Sequence, residues 1–423
     1  MTNTRFIQQQ LFYPLLLWYI VGFAVVVLAA LAVTLRLSPI PVTASEFVQQ
    51  HPLLVSGIAL AYILSVLIVE KTNHFPGWSS AAMVLPAVTG MYLLLVCFLL
   101  IGRLYYSRSF LLGTYVLSIL WLATGLRLRQ RFFKPRLAVV PFGDATALTG
   151  IKRIYWRVLS TPSISETNLH AVVVDLHADL PADWQRFLAD CALHRVPVYH
   201  ARWVSENITG RVSLSHLSEG LLTNFGPPPA YPLIKRCFDI FAVLACLPVV
   251  MPLMVLIALL IKLDSKGPVF FIQKRVGRED RVFSMIKFRS MHRDSENGGA
   301  QFADANDSRI TRFGAFLRKS RLDELPQLIN ILMGHMSLVG PRPEQTCFVA
   351  QFETEIPFYG YRHSVRPGIT GWAQVTHGYA DDTESTTEKL ERDIFYIKYM
   401  SFWLDFSIIV RTFRILLTGF GAR

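Results

Sequence analysis

The chain has 423 residues, 52% of them hydrophobic and only 17% charged, with a mean hydropathy of +0.37. That is too apolar for an ordinary soluble protein and points to membrane segments. The formal charge of +12 suits an anionic lipid surface or phosphorylated substrates. Nucleic acid is disfavoured, because the cations sit beside apolar runs and no nucleic-acid-binding motif is present. Five scattered cysteines, Cys97, Cys191, Cys237, Cys246 and Cys347, give neither a disulfide framework nor a CxxC metal site.

The N-terminal third reads as membrane. Apolar runs at Leu11–Leu35, Leu53–Val69, Ala81–Ile101 and Phe110–Leu126 come close to or exceed the ~20 residues a span needs. The first is too long for a signal-peptide core and is not followed by a cleavage pattern, so it is kept as an anchor. Four spans return the chain to its starting side. Arg5, Lys71, Arg127, Arg129, Arg131, Lys134 and Arg136 then lie inside, against Arg36, Arg103 and Arg108 outside, which favours cytoplasmic ends.

From Arg136 to Tyr231 the composition becomes that of a soluble domain. "RLAVVPFG", "HAVVVDL" and "VPVYHA" read as strands, with "DATALTGIKRIYWRVLS" and "PADWQRFLADCALHR" between them as helices. The alternation argues for a small Rossmann-like parallel sheet. A dinucleotide site needs a glycine-rich turn after the first strand, and only Gly143 and Gly150 are there. The expectation is therefore a structural or regulatory module without NAD or FAD. The prolines from Pro227 to Pro232 read as the linker that closes it.

Next comes Ile240–Ile261, which is 22 residues without a charge and long enough to span. Lys235 and Arg236 precede it and Lys262 and Lys266 follow it, so both flanks carry the inside signature. Pro248 and Pro252 fall mid-run, where each removes a backbone donor and crowds the preceding turn. The expectation is a re-entrant helix, broken at these prolines, that enters and leaves on one side.

The remaining sequence is cationic, with nine Lys/Arg against three Asp/Glu between Lys262 and Arg293. Compact blocks with fixed glycines and prolines suggest loops in which arginine grips phosphate. Among them "RKSRLDELPQLINILMG" sets Asp323 beside Glu324 and then Pro326. This reads as a helix start with Asp323 near the N-cap, ending near Gly334. The helix dipole, with Arg318 or Arg321, would favour the ionised carboxylate. An ionised Asp can act as a nucleophile while its neighbour holds a divalent cation; a plain capping role accounts for the two residues alone, but not for the basic blocks.

"GPVFFIQKRVG", "FSMIKFRSM", "RKSRLDELPQLINILMGHMSLVGPRP" and "VRPGITGWAQV", in this order and spacing, resemble the bacterial sugar transferase family of polyprenyl-phosphate phosphoglycosyl transferases. The likeness runs from about Lys235 to Arg423, and the preceding spans and α/β module resemble the family's large polytopic form. The resemblance implies transfer of a hexose-1-phosphate from a UDP-sugar to polyprenyl (undecaprenyl) phosphate, with UMP released, at the start of exopolysaccharide, capsule or O-antigen synthesis. It implies Asp323 as nucleophile, Glu324 as Mg²⁺ ligand, and Lys287, Arg289, Arg318, Arg342 and Arg366 as phosphate-binding cations. Pro252 matches the family's helix-breaking proline; Met251 stands where smaller members often carry Ser.

The expected architecture is thus a four-span helical domain (1–135), a Rossmann-like module (136–231) and a mainly α catalytic domain (232–423), at the cytoplasmic face of a bacterial inner membrane. "YIKYMSFWLDFSIIVRTFRILL" reads as helices in the membrane interface or as packed core. Self-association is left open. A transferase moving only the sugar would release UDP instead, and its Asp-x-Asp motif is not clear, with Asp304 and Asp307 spaced by two residues. A non-enzymatic scaffold leaves the basic blocks without a purpose.

Overall fold

The structure, a computed structural model, describes residues 5–37, 43–73, 75–76, 81–132, 135–151, 154–163, 169–214, 230–292, 309–376 and 383–418. Residues 227–229 of the Pro227–Pro232 linker, and Asp304 and Asp307, lie outside this set. The chain divides into two compact units, 1–209 and 210–423.

The first unit opens with α1 (Arg5–Leu37), a short α2 (Ala44–Gln50), and α3 (Pro52–Thr72), α4 (Ala81–Ile101) and α5 (Arg108–Phe132). Within α1, α3, α4 and α5 are stretches long and apolar enough to cross a membrane, and Leu17, Leu28, Leu60, Leu94 and Leu120 point outward from them. Outward leucines suit lipid, where small residues at helix contacts let backbones approach. Accordingly Trp18 and Trp121 stack at 4.6 Å against Gly125 and Gly22. Glu70 pairs with Arg129 at 2.9 Å and accepts from the Tyr19 hydroxyl. We read the chain as a multi-pass membrane protein.

A four-stranded, all-parallel sheet follows in the order β2-β1-β3-β4, from β1 (Arg136–Val139), β2 (Tyr155–Val158), β3 (Ala171–Val174) and β4 (Val198–His200). Side chains alternate between its faces. Leu137, Val139, Ala171 and Val173 meet Val204 of α7 (Ala201–Thr209), while Ala138, Val172 and Val174 meet Trp184, Phe187 and Cys191 of α6 (Ala182–Leu193). The first expected helix is not one. Residues 143–150 form a 3-10 turn and Tyr155–Val158 is an edge strand, in keeping with the strand preference of Tyr, Trp and Val. Residues 210–214, read from sequence as part of this module, belong to the second unit, where the Trp372 indole donates to the Gly210 carbonyl at 2.7 Å.

The long helix of the second unit is α8 (Tyr231–Asp264). This helix runs unbroken through Pro248 and Pro252, so the expected break is not a gap in the helix. A proline removes one donor, and the ladder resumes beyond it. In an apolar setting, leaving a whole turn unpaired would cost several kcal/mol per group, so the helix persists. Both ends of α8 pack on the same globule. Near its start Arg236 donates to the Ile331 and Leu332 carbonyls at 2.6 and 3.1 Å, and Asp239 accepts from Ser337 at 2.7 Å. Val243 packs on Phe283 and Met285, and Ile257 and Ile261 pack on Phe288 and Leu317. None of residues 244–256 is buried.

The globule holds an antiparallel hairpin, β5 (Phe270–Val276) and β6 (Val282–Phe288), and a parallel pair, β7 (Ser337–Val339) and β8 (Gly368–Thr370). Around them lie α9 (Arg312–Ser320), α10 (Gln327–Leu332), α11 (Thr346–Glu355), α12 (Trp372–Thr376), α13 (Thr383–Tyr399) and α14 (Phe402–Thr418). Ile394, Phe395, Tyr396, Leu404 and Ile408 are fully buried. The last two helices are therefore packed core, leaving a narrow apolar edge at Phe402 and Phe413.

Candidate active site

Asp323 and Glu324 lie in a 3-10 turn, Leu322–Glu324, between α9 and α10. Asp323 is not the helix cap that the sequence suggested. Pro326 caps α10, whose first residue is Gln327. The difference originates at Arg321, which ends α9 in the left-handed conformation with φ 55°. A non-glycine residue there costs on the order of 1–3 kcal/mol, and such strain concentrates at functional sites. Both carboxylates are buried.

Cations surround the pair. Arg342 Nη2 donates to Glu324 Oε1 at 2.8 Å, with Arg321 Nη1 at 3.8 Å and Lys287 Nζ at 4.0 Å from the same oxygen. Burial alone would raise the Glu324 pKa, but Arg342, Lys287 and Arg321 outweigh it and hold the carboxylate well below its usual range. Asp323 moves the other way. Burial and the neighbouring Glu324 charge push it up to about 6, against the pull of Lys287, Arg342 and Arg318. The sequence suggested local cations favouring the Asp323 anion; they do, and the other two influences prevail. Lys287 is pushed down to about 8, chiefly by burial and then by Arg342. At neutral pH both carboxylates are ionised, Asp323 being the more basic.

Supporting contacts fix this arrangement. Asn330 of α10, fully buried, accepts from the Ile286 N–H at 3.0 Å and donates to the Ser284 carbonyl at 2.8 Å. It thereby ties the helix after the dyad to the strand bearing Lys287. The Arg342 carbonyl accepts from Arg362 at 3.0 Å and the Pro343 carbonyl from Arg275 at 3.1 Å. Arg362 is anchored by Asp393 at 2.9 Å and shares Glu344 with Lys389. Gly340 and Gly368 bring β7 and β8 so close that a Cβ on Gly368 would fall 2.1 Å from the Gly340 nitrogen. Burial of Asn330 and Arg362 carries no periodic signal, so sequence reasoning missed both.

Lys287, Arg318 and Arg342 therefore gather at the dyad, and two expected phosphate ligands do not. Arg289 donates to the Ser265 and Lys266 carbonyls at 2.8 and 3.1 Å and to the Ser265 hydroxyl at 2.7 Å, closing the end of α8. Gly267 at φ 135° makes room for that guanidinium. Arg366 donates through Nε to the Gly334 carbonyl at 3.0 Å, where with Arg236 it satisfies the end of α10. Pro248 and Pro252 sit mid-helix in α8.

The hard carboxylate oxygens of Glu324 suit a magnesium ion. Glu324 stays anionic, and among the described residues its cation contacts are all made through Oε1.

Adjacent carboxylates with separated basicities, ringed by cations, mark a candidate catalytic site. The family model described as bacterial sugar transferase matches residues 230–419. The chain is 48% identical over 368 residues, 87% of each chain, to the UDP-N-acetylgalactosamine-undecaprenyl-phosphate N-acetylgalactosaminephosphotransferase of Aeromonas hydrophila. It is 42% identical over 182 residues to the UDP-glucose:undecaprenyl-phosphate glucose-1-phosphate transferase of Escherichia coli K12, covering 43% of this chain and 39% of that one. The chain belongs to the bacterial sugar transferase family, and it is a transferase.

The geometry separates Arg289 from Arg342. Arg289→Ala should lower the thermal unfolding midpoint in detergent and leave the transferase KM within about twofold. Arg342→Ala leaves the buried Glu324 charge less compensated, so it too should lower the midpoint. It should also depress kcat/KM by ~10²-fold or more, the scale of removing a group that stabilises transition-state charge. Melting curves and initial rates on the same preparations check both; a stable, inactive Arg289→Ala would return that residue to the phosphate site.

Proposed function

We propose that the protein transfers a hexose-1-phosphate from a UDP-sugar to undecaprenyl phosphate, releasing UMP and leaving an undecaprenyl-diphospho-sugar. The observation that carries this reading is the dyad itself, in which Glu324 is kept anionic by Arg342 while Asp323 is more basic and still ionised at neutral pH. The matched Aeromonas relative is named for N-acetylgalactosamine phosphate, so UDP-N-acetylgalactosamine is the first donor to test.

Asp323 attacks the β-phosphorus of the donor, the bond to the bridging oxygen breaks, and UMP leaves with that electron pair. The sugar phosphate is then held on Asp323 as an acyl phosphate. A phosphate oxygen of the lipid attacks the same phosphorus, and Asp323 departs as a carboxylate. Lys287, Arg318 and Arg342 face the charge that builds on the phosphoryl oxygens. Mg²⁺, held by Glu324, would supply further charge neutralisation.

Helix α8 supports acceptor delivery from one leaflet. Arg236 near its start and Ile261 near its end both pack on the same globule, at the Ile331 carbonyl and at Leu317, and Lys235 and Lys262 flank the apolar run on either side. We therefore read α8 as re-entrant, with its unburied middle in the cytoplasmic leaflet of the inner membrane. Single cysteines replacing Leu233 and Lys266, in a Cys-free background, should both resist an impermeant thiol reagent in spheroplasts and react after lysis. Labelling at position 266 alone would mean a true span.

The chemistry is tested without acceptor. Wild type given UDP-sugar alone should release a burst of UMP near one per chain; Asp323→Asn should release none, and Glu324→Gln should retain a burst that demands more Mg²⁺. In wild type, kcat/KM should fall below about pH 6, where Asp323 gains its proton, and above about pH 8, where Lys287 loses its own. Lys287→Arg should abolish the alkaline limb. Release of UDP instead of UMP would make this a sugar-only transferase, and a burst surviving Asp323→Asn would move the nucleophile elsewhere.

A further inference from the structure

The C-terminal edge of the parallel sheet carries a cluster that the transfer reaction does not use. Asp175 immediately follows β3, His177 lies two residues on, and His200 ends β4. His177 Nδ1 and His200 Nε2 are 2.8 Å apart, and each is 3.8 Å from Asp175 Oδ1. A point equidistant from these three atoms lies about 2 Å from each, the length of a zinc–imidazole or zinc–carboxylate bond (~2.0–2.2 Å). We propose that Asp175, His177 and His200 form a binding site for a zinc-class divalent ion, with an open coordination position toward solvent.

Three further observations favour a built site. Strands β1 and β3 are neighbours, but the chain goes from β1 to β2 on one side and from β3 to β4 on the other. That reversal is where open α/β sheets bind ligands, beyond the carboxyl ends of the strands. The carboxylate is also held in place: Asp175 Oδ2 accepts from the Asp144 N–H at 3.1 Å and Oδ1 from the His177 N–H at 3.0 Å. Gly143, at φ 60°, allows this approach, since a Cβ there would fall 2.4 Å from Asp175 Oδ2. Finally the donors are right for the metal. Two imidazoles and one carboxylate suit zinc, cobalt or nickel, whereas magnesium selects oxygen. The half-exposed His177 ring keeps one side of the site open to water or to a small ligand.

Loading moves one proton. The Arg202 N–H donates to His200 Nδ1 at 3.0 Å, so in the neutral ring the proton sits on Nε2 and is donated to His177. On metal binding that proton passes to Nδ1, and the ring shifts away from the Arg202 N–H, which water then takes up. Arg202 is the second residue of α7, where a helix leaves its N–H groups without intrahelical acceptors. Burial and the adjacent His177 lower the His200 pKa, which keeps the ring in the neutral form that a metal requires.

The test uses tag-free, full-length protein in detergent, stripped with chelator and titrated with Co²⁺. The proposal expects the visible d–d absorption of a low-coordinate nitrogen-ligated ion, saturating near one equivalent and bleached by Zn²⁺. His177→Ala, at a half-exposed position, should weaken binding by more than the roughly 10–100-fold that changes outside the coordination shell cost. Asp175→Asn provides a second, independent loss. Absence of the absorption, or an absorption unchanged in His177→Ala, would overturn the site.

Discussion

Two carboxylates buried side by side must either share a proton or be held apart in basicity, and the Glu324–Arg342 contact decides between these outcomes. Arg342 gives Glu324 a charge-assisted hydrogen bond at 2.8 Å, roughly twice as strong as a neutral one. Lys287 and Arg321 add charge to the same oxygen. Glu324 thus stays an anion, and its charge, with burial, raises its neighbour. Removing Arg342 would leave a buried charge less compensated, which is far more costly than losing an exposed ion pair.

Much of the second unit can be understood as holding that contact in register. Arg342 lies on a segment closed by the β7–β8 pair and clamped by Arg362 and Arg275. Lys287 lies on a strand pinned by Asn330. The membrane helix is fastened at its start by Arg236 and Asp239 and at its end by Arg289. Arginines that would suit phosphate are instead used on backbone carbonyls, which mechanically joins α8 to the helix that follows the dyad.

The apolar runs, three of the four parallel strands, and the gathering of Asp323, Glu324, Lys287 and Arg342 were legible in the sequence. The residues less well read share a physical reason. Lys287 and Arg289 are two apart, which on a strand would put them on one face, but β6 ends at Phe288 and Arg289 turns to the end of α8. Arg321 adopts a left-handed conformation usually given to glycine, so the 3-10 turn that displaces Asp323 from the helix cap carried no signal. Tyr155–Val158 shows no strand pattern in the sequence, because an edge strand of four residues is too short to display its period. Pro248 and Pro252 announce a helix break by local rule, yet α8 continues through them.

The account rests on neighbouring carboxylates having different jobs, and the most direct measurement finds which one carries the sugar phosphate. Hydroxylamine converts an acyl phosphate to a hydroxamate on the carboxyl that bore it. Wild-type protein treated with UDP-sugar, quenched with hydroxylamine and mapped by peptide mass spectrometry should carry the hydroxamate on Asp323. A hydroxamate on Glu324, or none on either residue while UMP accumulates, would contradict the account.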